Sequence, residues 1–438
     1  PCHDGELHGV RSVVRLDTGA LAPRGEPMIG ITRLYAGRNT PSDGLRYGAQ
    51  GVEGVRAEDI ITTAPPRTAA DRRPVVVWNV GRRCNLHCVH CYSDSSNRAY
   101  SGELTTEEAK VMIDDLANFE IPVLLLSGGE PLLRPDIFEV IAHARGRGIR
   151  VTLSTNGTLI TPEVAARLRA LGVSYVGISL DGIGATNDRF RGHKGAFDLA
   201  MAGFRNCKAV GQRVGLRMTL TKRNCQDLEA IFDFIESEEI DRACFYHLVY
   251  SGRGNSADEL TPGLARSAVD TILRRTRDFA ERGIAKEIFT VDNHADGAYL
   301  YLKLREEDPA RAEEVLALLR WNGGGLHSSG VGVADIDFLG NVHPDQFWMG
   351  HTLGNVRDRK FSEIWQDTSD EILAGLRDRA PLLRGRCGAC QWKDVCGGSF
   401  RVRALQVHGD PWAEDPGCYL TDEECGLTPG SRIREPVC

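Results

Sequence analysis

Short apolar runs alternate with amphipathic segments from about residue 74 onward, and this alternation predicts strands that are each followed by a helix. The runs that predict strands are residues 75–79, 123–127, 150–154, 175–180, 214–220 and 243–249. The segments that predict helices begin at Thr105 and cover residues 136–147, 162–171, 195–210, 226–238 and 262–282. Such units favour a parallel sheet with right-handed crossovers. Six of them predict an α/β fold, a partial (β/α)6 barrel similar to part of a TIM barrel.

The segments on either side of this region have a different character. Residues 1–70 are rich in Gly, Pro and Arg, which predicts an irregular N-terminal extension with a short arm at 29–35 and a linker at 62–67. A charged amphipathic pattern at 300–320 predicts a helix, and after residue 325 the pattern changes to short strands and turns. We therefore expect a core at 71–285, a helical linker at 286–330, a second, smaller domain at 331–425 and a tail at 426–438.

Composition limits the classes of function. Over 438 residues the net charge is −7, which argues against a nucleic-acid binder, because such proteins normally carry a basic surface. We expect no membrane span, since no apolar run approaches about 18 residues, and no secretory signal, since the N-terminus lacks the order of basic and then apolar residues. Thirteen cysteines, an odd number concentrated in two groups, favour metal ligation in the cytoplasm over disulfides. The cysteines outside these groups are expected to be buried or incidental thiols: Cys2, Cys207, Cys225, Cys244, Cys425 and Cys438.

Cys84, Cys88 and Cys91 follow the first predicted strand with the spacing C-x3-C-x2-C. Thiolates hold iron–sulfur clusters, and a cubane of about four irons normally takes one thiolate for each iron. Three thiolates leave one iron without a protein ligand, and an open position is what a catalytic metal site requires. A zinc site completed by His87 or His90 is the alternative.

Glycines and short polar residues follow the next predicted strands, at the edge of the sheet where barrels carry their chemistry. Gly128 and Gly129 allow the backbone to approach a ligand closely, and Glu130 can accept a hydrogen bond from an ammonium group. The side chains after the third and fourth strands suit ribose hydroxyls or a carboxylate: Ser154, Asn156, Ser179 and Asp181. Each also has an alternative role as a turn or helix-capping residue.

Together these motifs resemble the radical S-adenosylmethionine (SAM) enzymes over about residues 74–285. The resemblance implies a [4Fe–4S] cluster on Cys84, Cys88 and Cys91, with SAM chelating the fourth iron and yielding a 5′-deoxyadenosyl radical after one-electron reduction. It also implies a set of SAM contacts: Gly128, Gly129 and Glu130 to the amino group, Tyr92 near the adenine, Ser154, Asn156 and Ser179 to ribose or carboxylate, and Arg191 to the carboxylate.

A second cysteine group has the spacing C-x2-C-x5-C, and a distant fourth cysteine completes it; its members are Cys387, Cys390, Cys396 and Cys418. Four thiolates close a metal site, and zinc is the alternative occupant. The pattern resembles the SPASM (twitch-type) extension of radical SAM enzymes, which usually carries a pair of auxiliary [4Fe–4S] clusters. Phe400 and Asp345 stand where that family has cysteines, so we expect one auxiliary cluster here.

Longer segments of the sequence resemble the radical SAM enzymes that modify tetrapyrroles in siroheme-dependent heme and heme d1 biosynthesis. This likeness covers about residues 28–425 and includes Phe245–Gly254, Asp292–Gly297 and Gly340–Trp348. It implies a tetrapyrrole substrate, a low-potential electron donor of the flavodoxin or ferredoxin type, and removal of acetate side chains from 12,18-didecarboxysiroheme to give iron-coproporphyrin III. The alternatives are oxidative decarboxylation of propionates, the heme d1 step and modification of a peptide.

A substrate with several carboxylates favours arginines in its binding site, because a planar guanidinium can donate two parallel hydrogen bonds to one carboxylate. The arginines within the resembling segments are Arg253, Arg401 and Arg403, and the histidines available as axial ligands of a porphyrin iron are His247, His294, His343 and His351. A wide apolar pocket is expected between the barrel mouth and the second domain, lined by Trp321, Phe347 and Trp348.

Overall fold

The computed structural model describes residues 28–43 and 73–427. The strands are β1 (Met28–Gly30), β2 (Val75–Asn79), β3 (Val123–Ser127), β4 (Arg150–Thr155), β5 (Tyr175–Ser179), β6 (Val214–Leu220), β7 (Arg242–His247), β8 (Glu287–Val291), β9 (Val333–Ile336), β10 (Asn341–His343) and β11 (Gly354–Asn355). The extension before residue 28, the linker at 62–67 and the tail from residue 428 lie outside the described residues.

The helices of the barrel are α1 (Ile31–Leu34), α2 (Thr106–Asn118), α3 (Ile137–Gly146), α4 (Pro162–Ala170), α5 (Ala185–Arg191), α6 (Ala196–Ala209), α7 (Leu228–Ser237) and α8 (Pro262–Glu281). Those that follow are α9 (Ala295–Glu307), α10 (Pro309–Asn322), α11 (Phe361–Gln366), α12 (Glu371–Arg377), α13 (Gly385–Ala389), α14 (Lys393–Cys396) and α15 (Arg401–His408). In the described residues no helix is long and apolar enough to cross a membrane.

All of these strands belong to one sheet with the order β1-β8-β7-β6-β5-β4-β3-β2-β9-β10-β11. Neighbouring strands from β2 to β8 run parallel, each joined to the next by helical crossovers. The six strands predicted from the apolar runs are present, with bounds that differ by at most two residues. They are apolar and β-branched because helices cover the outer face of a parallel sheet and bury it.

The segment between the barrel and the cysteine-rich region differs from its expected form. Glu287–Val291 is a strand, β8, although the pattern predicted only helix after residue 286. The charged helix expected at 300–320 is two helices, α9 and α10, because Pro309 cannot continue the hydrogen bonding of α9 and begins a new helix capped by Asp308. β9 pairs in parallel with β2, so the sheet of the barrel continues into the second region.

The N-terminal arm packs on β8, as expected for residues 29–35. β1 pairs antiparallel with β8, and Met28 lies opposite Val291. The Thr32 hydroxyl donates to the Lys286 carbonyl oxygen at 2.9 Å and accepts from the Ile288 amide at 2.9 Å. The arm therefore covers the edge that β8 would otherwise expose.

Arg403 connects the cysteine-rich region to the mouth of the barrel. Its guanidinium makes two hydrogen bonds to the Asp415 carboxylate, at 2.9 and 2.8 Å, and donates to the Asp292 carbonyl oxygen at 2.9 Å. Asn293 donates to the Gly417 carbonyl oxygen at 2.9 Å. The loop after β8 is therefore bonded to the segment that carries the last cysteines.

Replacing Arg403 is expected to weaken this connection strongly. The Arg403→Leu variant leaves the buried Asp415 carboxylate without its cation, a change that costs about 3–5 kcal/mol in comparable pairs. The measurement is the midpoint of anoxic thermal unfolding, which should fall by several degrees. The matched control is Arg384→Leu, which removes an exposed ion pair with Asp410 and should cost less than about 1 kcal/mol. Equal midpoints for the two variants would contradict the role of Arg403.

Candidate active site at the mouth of the barrel

A cavity of about 180 Å³ lies at the carboxyl ends of the parallel strands. Its wall contains all three cysteines of the first group together with side chains from the ends of β3 to β7. The sequence-predicted residues that line it are Cys84, Cys88, Cys91, Tyr92, Gly128, Gly129, Ser154, Asn156, Ser179 and Arg191. The structure therefore brings these dispersed motifs together around one small space.

The loop that carries these cysteines is held by its own backbone against the turn after β3. The Gly129 amide donates to the Gly81 carbonyl oxygen at 2.8 Å, and the Glu130 amide donates to the Arg83 carbonyl oxygen at 2.9 Å. A Cβ atom on Gly129 would lie 2.2 Å from the Arg83 oxygen, and one on Gly128 would lie 2.5 Å from the Gly81 oxygen. The glycines were expected to admit a ligand, whereas the structure shows that they first admit the backbone of the cysteine loop.

The sulfur atoms accept hydrogen bonds from surrounding groups. Cys84 Sγ accepts from the Leu86 amide at 3.4 Å, and Cys88 Sγ accepts from Arg191 Nη1 at 3.5 Å. Burial raises the pKa of the Cys84 thiol to about 12, so the thiolate is favoured there only when a cation binds it. Donors aimed at the sulfurs are one of the means by which proteins stabilise an iron–sulfur cluster.

The arrangement of the ligands bears on the zinc alternative. Around the first cysteine group, no three Cys, His, Asp or Glu side chains of the described residues meet at one point, as the ligands of a single zinc ion must. In a cubane each iron takes its own thiolate, so the sulfurs stand apart around the cluster. His90, a ligand in the zinc alternative, instead has Nε2 3.3 Å from Asp181 Oδ2. The first group therefore fits an iron–sulfur cluster better than a single zinc ion.

Glu130 is almost fully buried behind the cavity wall. Its Oε1 atom accepts from the Thr155 hydroxyl at 2.7 Å and from the Leu132 amide at 3.1 Å, and its Oε2 atom accepts from the Asn156 amide at 2.9 Å. Burial raises the pKa of this carboxyl, although these donors oppose the shift. Oε2 accepts only this one hydrogen bond from the described residues, so it can accept a second from a bound ammonium group.

The short side chains after β4 and β5 divide into two kinds. Asn156 Nδ2 donates to Asn85 Oδ1 at 2.8 Å, and its Oδ1 atom accepts from the Thr158 amide and hydroxyl, so this side chain joins β4 to the cysteine loop. Ser154 and Ser179 line the cavity and make no side-chain hydrogen bond to another described residue. Their hydroxyls are therefore available to a ligand.

Asp181 organises the charged side of the cavity. Its Oδ2 atom lies 2.5 Å from Arg191 Nη2, and its Oδ1 atom accepts from the Thr219 amide at 2.9 Å. Burial would raise the pKa of this carboxyl, but Arg191 and His90 lower it to about 2. Arg191 thus has one guanidinium nitrogen on Asp181 and another on the Cys88 sulfur.

Tyr92 lies between the ends of β2 and β3. Its hydroxyl donates to Asn79 Oδ1 at 2.8 Å and lies 2.8 Å from the Ser127 hydroxyl. The ring packs edge-on against Phe347, with 5.7 Å between the ring centroids. This packing gives the cavity one fixed aromatic wall.

The second cysteine group is also assembled in the structure. Cys387 Sγ accepts from the Asp415 amide at 3.2 Å, Cys390 Sγ from the Trp392 amide at 3.4 Å, and Cys418 Sγ from Arg386 Nη1 at 3.1 Å. Cys396 is partly buried, and burial raises the pKa of its thiol well above the ordinary value. The hydrogen bonds to these sulfurs are similar to those around the first group.

Arg379 provides a charge argument for an anionic cluster at this second group. It is 1% exposed, and its guanidinium donates only to carbonyl oxygens, those of Leu376, Ser329 and Ser399. Burial and the nearby Arg401 lower its pKa to about 9, whereas Asp345 and Cys396 act in the opposite direction. A buried cation is costly without an anion, and a cluster bound by four thiolates would add negative charge next to it.

Cys425 does not stand apart from this group, contrary to the expectation. It is buried, as predicted, but its thiol lies within hydrogen-bonding distance of the sulfurs of Cys390 and Cys418. The chain spacing gave no sign of this, because the helical turns at residues 422–426 bring Cys425 back toward Cys390. The described part of the group therefore holds five thiols.

The residues expected to bind the tetrapyrrole have other contacts. Arg253 donates to the Cys88 carbonyl oxygen at 2.8 Å, Arg401 donates to carbonyl oxygens, and Arg403 pairs with Asp415. His343 and His351 are bonded within the second region, whereas His247 lines the cavity with Nε2 3.0 Å from Asp296.

Of the three aromatic side chains expected to line a wide apolar pocket, only Phe347 lines the cavity at the barrel mouth. Trp348 is 2% exposed and packs into the core, and Trp321 packs against the core from the side.

The charged or phenolic cavity residues to which the sequence gave no role are Arg217, Tyr246 and Asp292. The alternation in β6 could have indicated Arg217. Gly215, Arg217 and Thr219 alternate with buried apolar residues, so these three share the inner face of the strand. Asp292 follows β8, a strand that the pattern did not reveal.

Comparison with known proteins identifies the class. The family model for the radical SAM superfamily matches residues 78–235. The chain is 53% identical over 404 residues to a protein of Methanosarcina barkeri, which it covers to 99%. It therefore belongs to the radical SAM superfamily, and it uses SAM and a [4Fe–4S] cluster.

That relative, which matches 91% of this chain, is named Fe-coproporphyrin III synthase. A pre-heme d1 synthase of Dinoroseobacter shibae is 46% identical, matching 83% of this chain and 90% of its own length. An AdoMet-dependent heme synthase of Methanosarcina barkeri is 34% identical, and the match covers 78% of this chain and 95% of that protein. The predicted family and its tetrapyrrole branch are confirmed.

Solved structures support the fold. A native anSMEcpe structure with bound AdoMet and a peptide superposes with a TM-score of 0.62 at 19% identity, over 79% of this chain and 94% of that one. Streptococcus suis SuiB bound to S-adenosylmethionine superposes with a TM-score of 0.62 at 17% identity, over 80% of this chain and 78% of that one. The predicted α/β radical SAM fold is confirmed.

The glycine contact predicts a specific loss of iron. The Gly129→Ala variant places a Cβ atom against the Arg83 carbonyl oxygen, so the cysteine loop cannot take its position and the first cluster should be lost, about four irons per chain. Iron and sulfide assays on anoxically reconstituted protein measure this. The matched control is Gly146→Ala, whose Cβ would meet no atom within 4 Å, and it should retain its iron. Full iron content in Gly129→Ala would contradict the proposed constraint.

Proposed function

We propose that this protein removes acetate side chains from 12,18-didecarboxysiroheme to give iron-coproporphyrin III. The observation that carries the proposal is the 53% identity to Fe-coproporphyrin III synthase over nearly the whole length of that relative. The open three-cysteine site at the barrel mouth supports it, because removing an unactivated side chain requires a radical initiator.

When bound, the cluster and SAM supply a 5′-deoxyadenosyl radical. The residues proposed to hold them are the cysteines Cys84, Cys88 and Cys91 and the SAM contacts Tyr92, Gly128, Gly129, Glu130, Ser154, Asn156, Ser179 and Arg191. Ser154 and Ser179 offer free hydroxyls to the ribose, and Glu130 Oε2 offers an acceptor to the amino group. Asn156 acts mainly by positioning the cysteine loop through Asn85.

We also propose one auxiliary [4Fe–4S] cluster on Cys387, Cys390, Cys396 and Cys418. The buried Arg379 and the hydrogen bonds to the sulfurs support it. Phe400, which stands where the family has a cysteine, is buried and stacks on His294, so an apolar ring occupies that position. Asp345, at the other such position, accepts from the Phe347 amide and the Ser329 hydroxyl.

The remaining proposals concern the setting of the reaction. A low-potential donor of the flavodoxin or ferredoxin type would reduce the first cluster, and the chain would act in the cytoplasm, where free thiols persist. The domains are proposed as a radical SAM core at 71–285, a linker at 286–330 and an auxiliary-cluster domain at 331–425.

The reaction itself is the direct test. Anoxically reconstituted protein with SAM, dithionite and 12,18-didecarboxysiroheme is expected to form iron-coproporphyrin III and 5′-deoxyadenosine, both measured by mass spectrometry. The Cys88→Ala variant should form neither, because it loses one of three cluster ligands. If the protein instead converted the propionates of iron-coproporphyrin III to vinyl groups, it would be assigned the oxidative decarboxylation. If it converted a heme d1 precursor, it would be assigned the heme d1 reaction. No 5′-deoxyadenosine with any of these substrates would reject the tetrapyrrole assignment.

Iron counts test the auxiliary cluster. The intact chain should hold about eight irons, and Cys387→Ala should hold about four, because one cluster loses a ligand. Cys425→Ala should keep about eight, since four thiolates remain, and the control Cys207→Ala removes a buried thiol of α6 without effect. A loss of about four irons in Cys425→Ala, with retention in Cys418→Ala, would assign Cys425 as the ligand in place of Cys418.

A further inference from the structure

Arg217 is a cation that faces the cavity without an anionic partner. It lies on the inner face of β6, and its guanidinium carbon is 4.8 Å from the centroid of the Tyr246 ring. Its guanidinium makes no hydrogen bond or ion pair with any other residue in the part of the chain that the structure describes. The other arginine of the cavity wall, Arg191, is bonded to Asp181 and to the Cys88 sulfur.

Asp292 is a second unpartnered group in the same wall. It is 3% exposed, lines the cavity, and its carboxyl group makes no hydrogen bond to another described residue. Its φ angle is +67°, a left-handed conformation that costs a non-glycine residue roughly 1 kcal/mol or more. The Arg403 guanidinium holds the Asp292 carbonyl oxygen at 2.9 Å, so the surrounding structure maintains this conformation. Backbone strain of this kind is concentrated at functional sites.

The charges around Asp292 leave its carboxyl close to the midpoint of titration at neutral pH. The titratable and charged groups that face it are Arg217 on β6, Tyr246 and His247 on β7, Asp345 after β10 and Arg403 on α15. Burial raises the pKa of this carboxyl to about 7, although Arg403 and Arg217 oppose the shift. Below that pH the group is a neutral hydrogen-bond donor.

We propose that Arg217 and Asp292 bind a carboxylate side chain of the tetrapyrrole substrate, an inference that rests on the proposed function. Arg217 supplies the positive charge, and Asp292 in its neutral form donates a hydrogen bond to the same group. A donor acid beside an arginine is a suitable pair for a carboxylate, whereas an ionised Asp292 would repel it.

The position of this pair within the cavity favours the substrate over SAM. Arg217 and Asp292 lie at β6 and after β8, away from Glu130 and Ser154 at the ends of β3 and β4, and only Ser179, opposite Arg217 on β5, adjoins them among those SAM contacts. The cavity of about 180 Å³ has no room for a macrocycle, so only a side chain of the tetrapyrrole would reach Arg217 and Asp292.

Binding measurements test this assignment without turnover. The affinity of 12,18-didecarboxysiroheme is measured by titrating its visible absorption, and the affinity of SAM by anoxic calorimetry, on reconstituted protein. The Arg217→Gln variant should weaken tetrapyrrole binding by about 10- to 100-fold and leave SAM binding unchanged. The matched control is Arg223→Gln, a surface arginine just after β6 that pairs with Asp258, and it should change neither affinity. Iron content and the unfolding midpoint confirm that each variant is folded.

The pH dependence tests Asp292 separately. Tetrapyrrole affinity of the intact protein should be higher below pH 7 and fall as pH rises through about 7, because Asp292 loses its proton and its donor role. Asp292→Asn keeps a neutral donor at every pH, so this fall should disappear.

Some outcomes would overturn the assignment. If Arg217→Gln weakened SAM binding as much as tetrapyrrole binding, Arg217 would be assigned to the SAM carboxylate. If the tetrapyrrole affinity of that variant were unchanged, Arg217 would have no part in binding the substrate. An intact protein that cleaves SAM but binds no tetrapyrrole would instead overturn the proposed function, and this inference with it.

Discussion

The structure of the site depends on the contact between two stretches of backbone, the cysteine loop and the turn after β3. The carbonyl oxygens of Gly81 and Arg83 accept from the amides of Gly129 and Glu130, at distances that leave no room for a Cβ atom. This contact fixes where the three sulfurs lie relative to the strands. Because Asn156 then joins the same loop to β4, the loop is held by two neighbouring strand ends and needs little regular structure of its own.

Much of this could be predicted from the sequence because the signals are local. The apolar runs of β2 to β7 are bounded by turns and helices, and parallel order places their ends at one edge. Motifs that follow successive strands must therefore meet there, and Cys84, Ser154 and Ser179 do so. The roles of individual residues were harder to predict. Glycines and asparagine that suit a ligand also suit close packing of the chain, and spacing cannot separate these uses.

The parts that escaped prediction depend on long-range packing. β8 is a short apolar run without glycine or proline at its end, and its identity as a strand depends on pairing with β7 and with the arm. Asp292 could not be assigned to the cavity until β8 was known. Cys425 approaches Cys390 only through a fold-back of the chain. Trp321 and Trp348, expected in a pocket, pack on the core, a choice between two apolar environments that spacing alone cannot make.

Arg379 has a consequence for how the protein is assembled. Its guanidinium is enclosed by backbone carbonyl oxygens, and the acidic groups whose charge acts on it are Asp345 and Cys396. A metal that holds the Cys396 sulfur as a thiolate would add negative charge beside this buried cation. Binding of the proposed auxiliary cluster would then favour closure of the C-terminal region around Arg379.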